Sequence, residues 1–593
     1  MKRFIAFIVL AASLPAAAQN LNPTVEVQNS YMGKLIEAGK PQLEMAVPDS
    51  LTKFDLDFDY SVMETPYKGG YEFNPYLVDL KPEVAGERKP SLFFRAGAGY
   101  VLRPEVDFVY DPALKGKLSL DIYGTHRSFF GKYDQMGRPH SVDNNEPWIP
   151  SESIDRQVFT GEIIDGPAIP DTEYNPDFSD KIDSFSGYDS RSSVGMSGRY
   201  LYGKGALDFN VGYFGLATKS RYAWNERKSS MNAVDFSAGI ESRGTKMTYD
   251  ANFAVRAGSD RYRTGDSGPY KNLILVESKF SGSFGPSVGK YGKLTIGFEG
   301  EYNTYGGKIV DASSGFLEII PSVSGVYKGL SYLLGVRVGT GFYGGDDVYT
   351  GDTKGQGFYP EVHLAYSIIP ENLNIYADVT GGNHMSNYSD LKEWNKFFIL
   401  PFLENTVERI SATAGIRGNI VPALKFDISA GYRILKNVLS DCWALVYNDS
   451  MYYIFPMLGY SDYNESFVDA KLIWDKKPLQ IDGAVRLSSF KADKDEDSYA
   501  PSDLTGNFRA RYNHRDRFFA GIYGEFASAR KIFNYDTYPI PGFVDLGLTA
   551  EYILTPKMSV WAKAGNILGS KIQRHPCIAE SGVSLIGGIA LYL

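Results

Sequence analysis

The chain has two cysteines and six histidines in 593 residues, and past residue 20 it has no run of about 18 apolar residues. The missing run excludes a bundle of transmembrane helices, each of which needs about 20 apolar residues. The histidines (His126, His140, His363, His384, His514 and His575) never pair at i, i+3 or i+4, so no His-rich metal motif is present. The net charge is −9 with no basic run, which argues against nucleic acid as a partner. Tryptophan is scarce at 6, whereas Tyr reaches 42, Phe 36 and Gly 61. That mixture suits long strands with aromatic girdles at two membrane interfaces. A mean hydropathy of −0.24 agrees, because one face of each barrel strand is polar.

The N-terminus reads as an export signal. Lys2-Arg3 is a positive head, Phe4 to Leu14 is apolar, and Ala16-Ala17-Ala18 is a small-residue cleavage site with Gln19 after it. No cysteine follows that site, so a lipoprotein anchor is not supported.

From about residue 117 the pattern has period two. Leu207, Phe209, Val211 and Tyr213 alternate with Asp208, Asn210 and Gly212. Val234, Phe236, Ala238 and Ile240 alternate with Asp235, Ser237, Gly239 and Glu241. Tyr249 to Arg256, Leu479 to Ser488 and Val544 to Tyr552 keep the same beat. Apolar residues facing lipid and polar ones facing a watery lumen give this pattern. The segments exceed the strands of a β-sandwich and match a tilted membrane strand. Short connections (202–204, 243–245, 328–329, 369–372, 419–423, 475–478, 513–516 and 555–557) alternate with long polar ones (about 127–190, 217–230, 258–269, 343–354, 380–407, 435–463, 490–501, 527–541 and 566–583). Short turns belong on the periplasmic side and long loops outside. The expected fold is all-β: a large transmembrane antiparallel barrel of about 20–22 strands. Met451 to Tyr463 reads either as loop or as an extra strand, and Leu92 to Tyr100 either as the first strand or as part of a lumen insert.

The C-terminal stretch contains Gly565-Asn566-Ile567-Leu568-Gly569-Ser570-Lys571-Ile572 and ends Gly587-Gly588-Ile589-Ala590-Leu591-Tyr592-Leu593. It resembles the closing strands of TonB-dependent receptor barrels, where an Asn-Leu-Phe/Leu-Gly-x-Lys-Tyr segment leads into a final amphipathic strand. The resemblance covers roughly residues 117–593 and is closest in style to plug-poor Bacteroidetes members. It implies 22 strands and solute uptake across the outer membrane. Two departures stand out. Only 70–90 residues separate the cleavage site from the first strands, too few for the family's plug, and the chain ends in Leu593 where outer-membrane proteins usually end in Phe.

The expected divisions are a signal peptide (1–18), an N-terminal periplasmic or lumen segment (19–92) and the barrel (93–593). Residues 20–92 are acidic and Pro-rich. They are expected to line or partly block a lumen that a large barrel cannot fill with its own side chains, with a flexible periplasmic tail as the alternative. Thr24, Val25, Glu26 and Val27 are similar to a TonB box, the strand such receptors offer to TonB; a plain mobile end is the alternative. Asp121, Asp208, Glu241, Arg256, Glu299, Arg417, Arg486 and Arg511 are the candidate lumen-lining charges, acting on solute preference or pairing with one another.

Other motifs carry less. Gly265-Asp266-Ser267-Gly268-Pro269 copies a protease nucleophile loop without a triad in reach. His126 and His140 read as solvated loop residues. Asp346, Asp347 and Asp352, and the cluster at 493–497, read as charged tips. Cys442 and Cys577 fall in expected outer loops, and their pairing stays open. No catalytic residue, cofactor or metal is expected. The expected partners are outer-membrane lipid, the barrel assembly machinery, and a surface lipoprotein or TonB. The leading expectation is solute passage. The alternative is a non-conducting barrel that scaffolds other outer-membrane proteins or surface lipoproteins.

Overall fold

The computed structural model describes residues 91–593 apart from breaks at 115, 136–138, 142–147, 155–168, 175–182, 223–224, 243–246, 265–268, 289–291, 308–310, 346–354, 371, 396–403, 449–450, 493–497, 534, 577 and 581. Twenty-two antiparallel strands close into one barrel. They begin with β1 (Leu92–Tyr100), β2 (Glu105–Tyr110), β3 (Leu118–Gln135), β4 (Asp183–Tyr202), β5 (Gly205–Tyr222), β6 (Asn225–Ser242), β7 (Met247–Thr264) and β8 (Lys271–Val288). There follow β9 (Gly292–Gly307), β10 (Ala312–Tyr327), β11 (Leu330–Gly345), β12 (Gly357–Ile369), β13 (Leu373–Met385), β14 (Asn405–Val421) and β15 (Leu424–Asn448). The last are β16 (Met451–Lys476), β17 (Leu479–Ala492), β18 (Leu504–His514), β19 (Phe518–Ala527), β20 (Phe543–Thr555), β21 (Met558–Gly565) and β22 (Ser584–Tyr592). One short helix, α1 (Tyr388–Trp394), lies between β13 and β14.

Alternation decides which way each side chain points. Val211, Tyr213, Val234, Phe236 and Phe253 are exposed on the outside. Their sequence neighbours on the inner face include the buried Arg256, Asp260 and Glu277. Exposed rings gather near the short turns (Tyr327, Tyr512, Phe518, Tyr552) and again further up (Tyr302, Phe342, Tyr432). These are the two girdles of a membrane barrel.

The seam joins the two ends of the chain. β1 pairs with β22 from Phe93↔Tyr592 to Tyr100↔Leu585. The Leu92 and Leu593 amides donate to each other's carbonyls, both at 2.8 Å. Inside the seam, Phe93, Val109, Trp561, Ile586 and Tyr592 form an apolar cluster, and Arg95 stacks 3.9 Å from the Trp561 ring. Leu92 to Tyr100 is therefore the first barrel strand.

Several expected outer loops are strand. β5 and β6 run to Tyr222 and from Asn225, where 217–230 reads as loop, and β7 continues to Thr264 within the expected loop 258–269. Met451 to Tyr463 is the outer half of β16, paired throughout with β15. These two strands have 25 and 26 residues, more than twice the roughly 9–11 a tilted strand needs to cross. A ribbon standing in water has no lipid-facing side, so it need not alternate, and without that beat nothing marks its strands in the sequence.

Gly588 is where the seam leaves no room for a side chain. A Cβ there would lie 2.0 Å from the Ala96 carbonyl oxygen and 2.7 Å from the Gly97 Cα. Gly588→Val is expected to lower the yield of the folded, heat-modifiable form on refolding into detergent micelles, by an overpacking cost of about 1–3 kcal/mol. Gly582→Val is the control, since nothing lies within 4 Å of its Cβ. Equal yields from both variants would refute the steric account.

Candidate gate at the outer mouth of the barrel

All eight candidate lumen charges lie on the face opposite the exposed apolar residues of their strands. Most are held by wall neighbours. Arg199 pairs with Glu241 and lies 3.6 Å from Asp208. Arg256 forms two bonds to Asp235, at 2.6 and 2.9 Å. Arg337 reaches Glu299 and Glu318 at 2.6 Å and Glu361 at 3.2 Å. Arg486 meets Glu465 at 3.0 Å and Asp469 at 3.6 Å. Arg417 and Arg511 lie over the Tyr376 and Phe519 rings. Asp121 is buried on the inner face of β3.

The wall charges between β4 and β9 meet a further set of partners, which comes from the loop after β13. Asn387 caps α1, its side-chain oxygen accepting from the Asp390 amide at 2.8 Å. Tyr388, Ser389, Asp390, Leu391, Lys392 and Trp394 are all buried. A loop helix this enclosed is folded into the barrel. Tyr388 enters a pocket of Phe214, Leu216, Met231, Tyr262, Leu273, Leu275 and Tyr305 on the inner wall, and its hydroxyl donates to Asp260. The Tyr388 amide donates to the Tyr305 hydroxyl at 2.9 Å, and the Ser389 amide to Glu277 at 2.9 Å. Lys279 stands 3.5 Å from both Asp390 and Glu301. Glu393 takes Arg191 at 2.9 Å and Arg256 at 3.6 Å.

The opposite flank of the helix meets the tall β15–β16 hairpin. Leu391 and Trp394 pack with Leu439, Leu458 and Tyr460. The hairpin is bulged between Leu435 and Val438, where Asn437 has φ 56°. A bulge bends its strand, here at the level of the helix. The last outer loop adds His575, whose Nε2 lies 2.9 Å from the Trp394 carbonyl and whose Nδ1 lies 3.2 Å from Asp441. Arg530 holds the other Asp441 oxygen at 2.8 Å. The helix thus bridges β4–β9 on one side of the mouth and β15–β16 on the other.

Lys392 is the anomalous member. It is fully buried, and its ammonium is 3.7 Å from Asp260, itself fully buried. That is an ion pair too long for a hydrogen bond, and Lys392 has none among the described residues. Burial pulls its pKa down to about 8, against the opposing pull of Asp260. Burial, with Asp260 adding to it, holds the Tyr388 hydroxyl well above its ordinary value.

Reading 380–407 as an ordinary polar loop missed this helix. The available signal was Asn387 followed three residues later by Asp390, an N-terminal capping pattern, with Tyr388, Leu391 and Trp394 at helical spacing. Thr24 to Val27 lie outside the described residues. So do the 265–268 loop, Asp346, Asp347, Asp352, the 493–497 cluster and Cys577. His126 lies on the outer face of β3, with its ring nitrogens 2.8 and 3.0 Å from the Ser192 and Ser128 hydroxyls.

The helix seat has a pH dependence of fixed sign. A released Lys392 keeps its proton to about 10.4, whereas the seated one loses it near 8. Between these values the released form binds more protons, so seating strengthens as pH rises, by up to about tenfold per pH unit. Above about 10 a released Tyr388 ionises and a seated one does not, which opposes and then reverses the trend. Hydrogen-exchange protection of the Leu391 and Asn395 amides should rise from pH 8 to 9.5, after correction for intrinsic rates. In Lys392→Met it should be flat. Protection that falls with pH in the unmodified chain would contradict this.

No family model matches the chain, and no curated protein matches it. Its fold is similar to solved structures. A mutant of the ferric enterobactin receptor of Pseudomonas aeruginosa is 12% identical, with 84% of this chain and 80% of that one covered and a TM-score of 0.55. The FrpB iron transporter of Neisseria meningitidis is 9% identical over 85% and 81%, with a TM-score of 0.57. The siderophore receptor PirA of Acinetobacter baumannii is 10% identical over 86% and 81%, with a TM-score of 0.56. The 22-strand barrel fold is shared with these receptors, and with this chain's greasy exterior and charged interior it is that of an outer-membrane β-barrel.

Proposed function

We propose that this chain takes up a solute across the outer membrane in the manner of TonB-dependent receptors, with the helix Tyr388–Trp394 as the outer gate of its lumen. One observation carries the reading: a loop of the barrel itself is seated across the mouth by contacts to both walls. A scaffold has no need of a built-in gate over a lumen, whereas a transporter does. A ferric siderophore is the first solute class to test, because the receptors of like fold are named for such compounds. Residues 19–92 would guard the periplasmic side, and Thr24 to Val27 would be the strand offered to TonB. The inner-wall charges, Asp121 and Arg417 among them, would set solute preference once the gate lifts. The barrel assembly machinery would insert the chain, and a surface lipoprotein is a further candidate partner.

Two experiments test this. In planar bilayers the unmodified chain should conduct weakly, and replacing residues 387–395 by a Gly-Ser linker should raise conductance several-fold. A silent barrel after that replacement favours the scaffold. In cells, Val25→Pro with Val27→Pro should abolish energy-dependent uptake while barrel yield and bilayer conductance stay unchanged, because proline removes the amides an added strand needs. Undiminished uptake would remove TonB from the account.

A further inference from the structure

Three polar side chains, Ser192, His126 and Ser128, are bonded in a line on the outer face of β3 and β4. His126 and Ser128 are alternate residues of β3 and so share a face. Register sets Ser192 directly opposite His126 on β4. The imidazole Nδ1 lies 2.8 Å from the Ser192 hydroxyl, and Nε2 lies 3.0 Å from the Ser128 hydroxyl. The lipid-facing side of a barrel strand favours apolar side chains. The charge networks of this barrel lie on the opposite face, so they do not account for the trio.

A hydroxyl on one nitrogen of a histidine, with the other nitrogen held by a third group, is the arrangement that activates a serine nucleophile. Exposure decides which serine attacks. Ser128 is 6% exposed, whereas Ser192 is only half-buried. Ser128 then accepts from Nε2–H and fixes the tautomer whose Nδ1 lone pair faces the Ser192 hydroxyl. Across from Ser192 on the next strand stands Gly215. A Cβ at Gly215 would lie 2.7 Å from the Tyr213 hydroxyl. The missing side chain thus leaves that hydroxyl over the strand beside Ser192, where it donates to Asn232 at 2.6 Å. From there it can turn to an oxyanion forming at Ser192.

The height of the trio names the substrate. Toward the short-turn end the same face carries the exposed Val194 and Met196. Toward the long-connection end Phe130 stands opposite Tyr188, with ring centres 6.0 Å apart. Aromatic rings mark the boundary between hydrocarbon and headgroups. The ester carbonyls of a membrane lipid lie at that boundary.

We propose that Ser192, His126 and Ser128 form a hydrolytic site for acyl esters of outer-leaflet lipids. Ser192 is the nucleophile, His126 the base, Ser128 the residue that positions the base, and Tyr213 the oxyanion donor. Ser192 Oγ bonds to the ester carbonyl carbon as its proton passes to His126 Nδ1 and the carbonyl electron pair moves onto oxygen. The pair returns, the bond to the lipid alkoxide breaks, and that oxygen takes the proton from His126. Water adds to the acyl-Ser192 by the same route, which releases a fatty acid and restores the serine hydroxyl. Ester and water give carboxylic acid and alcohol, with no oxidant or reductant. A neutral Ser128 steadies the imidazolium less than a carboxylate would, so turnover is expected to be slow. The site lies outside the lumen and depends neither on the gate nor on uptake.

The test uses the full-length protein in mixed detergent micelles. The probes are a diacyl phosphatidylethanolamine, its dialkyl ether analogue, lipid A, and a fluorophosphonate, which labels activated serines. Peptide mapping should find the fluorophosphonate label on Ser192. Fatty acid should leave the diacyl phospholipid or lipid A, which names the lipid source, while the ether analogue stays intact. Ser192→Ala and His126→Ala should each lower release by about a hundredfold or more. Ser128→Ala should lower kcat several-fold with KM unchanged, and Ser190→Ala, on the same face, should change neither. Heat modifiability on gels shows whether each variant is folded, and His126→Gln stands in if His126→Ala does not fold. An unlabelled Ser192 in the folded unmodified chain overturns the proposal. So does release from neither ester lipid, or release that persists unchanged in a folded Ser192 or His126 variant.

Discussion

In lipid, a backbone amide or carbonyl without a partner costs several kcal/mol, so a sheet crossing a membrane cannot keep an edge. The pairing of β1 with β22 removes the edge, and everything else follows from it. Closure at 22 strands makes a cylinder too wide for its own side chains to fill. One face of every strand then meets lipid and the other meets an aqueous space. Aromatic girdles, alternating polarity and the inner-wall charges are consequences of that closure. Gly588 sits at the seam because a side chain there would strike the partner strand's backbone.

The inner wall has a second problem, since its carboxylates and guanidinium groups are partly shut away from water. Around β9–β17 the wall answers it alone. Arg337 gathers Glu299, Glu318 and Glu361, while Arg433 and Arg486 share Glu465. Around β4–β9 the wall answers it in part, with Ser229 bonded to Asp260, Tyr305 to Glu277 and Lys279 beside Glu301, and the loop helix adds Tyr388, the Ser389 amide, Asp390 and Lys392. The helix therefore extends the wall's charge network, with an apolar clasp of Leu391 and Trp394 on the far side.

Much of this was legible in the sequence, because lipid imposes a strict rule on what faces it. Alternation such as Leu207 to Tyr213 gave the strands and their orientation, and the short turns gave the parity. What failed lay beyond the membrane. The outer half of β15 read as loop and that of β16 as either loop or an extra strand, since nothing above the bilayer demands alternation. The eight inner-face charges could be picked from parity alone. Their partners could not, because Arg486 and Glu465, or Arg256 and Glu393, are brought together by register and by a loop that folds inward. The seat of Tyr388 on Asp260 spans 128 residues of chain, and no local signal reaches so far.

The chemistry of the helix seat bears on whether it can open. A helix clasped only by apolar contacts would stay shut, since lifting it would expose that surface to water at about 25 cal/mol per Å². Hydrogen bonds and ion pairs behave differently, because water takes the place of the lost partner and the net loss per bond is about 1 kcal/mol. Lys392 tilts the balance further toward release. A buried ammonium whose counter-charge among the described residues, Asp260, is 3.7 Å away recovers only part of its lost hydration, so this residue opposes the seat it occupies. Methionine would fill the same volume without that penalty. A charged residue at this position makes physical sense in a helix that must leave the barrel wall as well as rest on it, which links the weakest contact in the seat to the proposed passage of a solute.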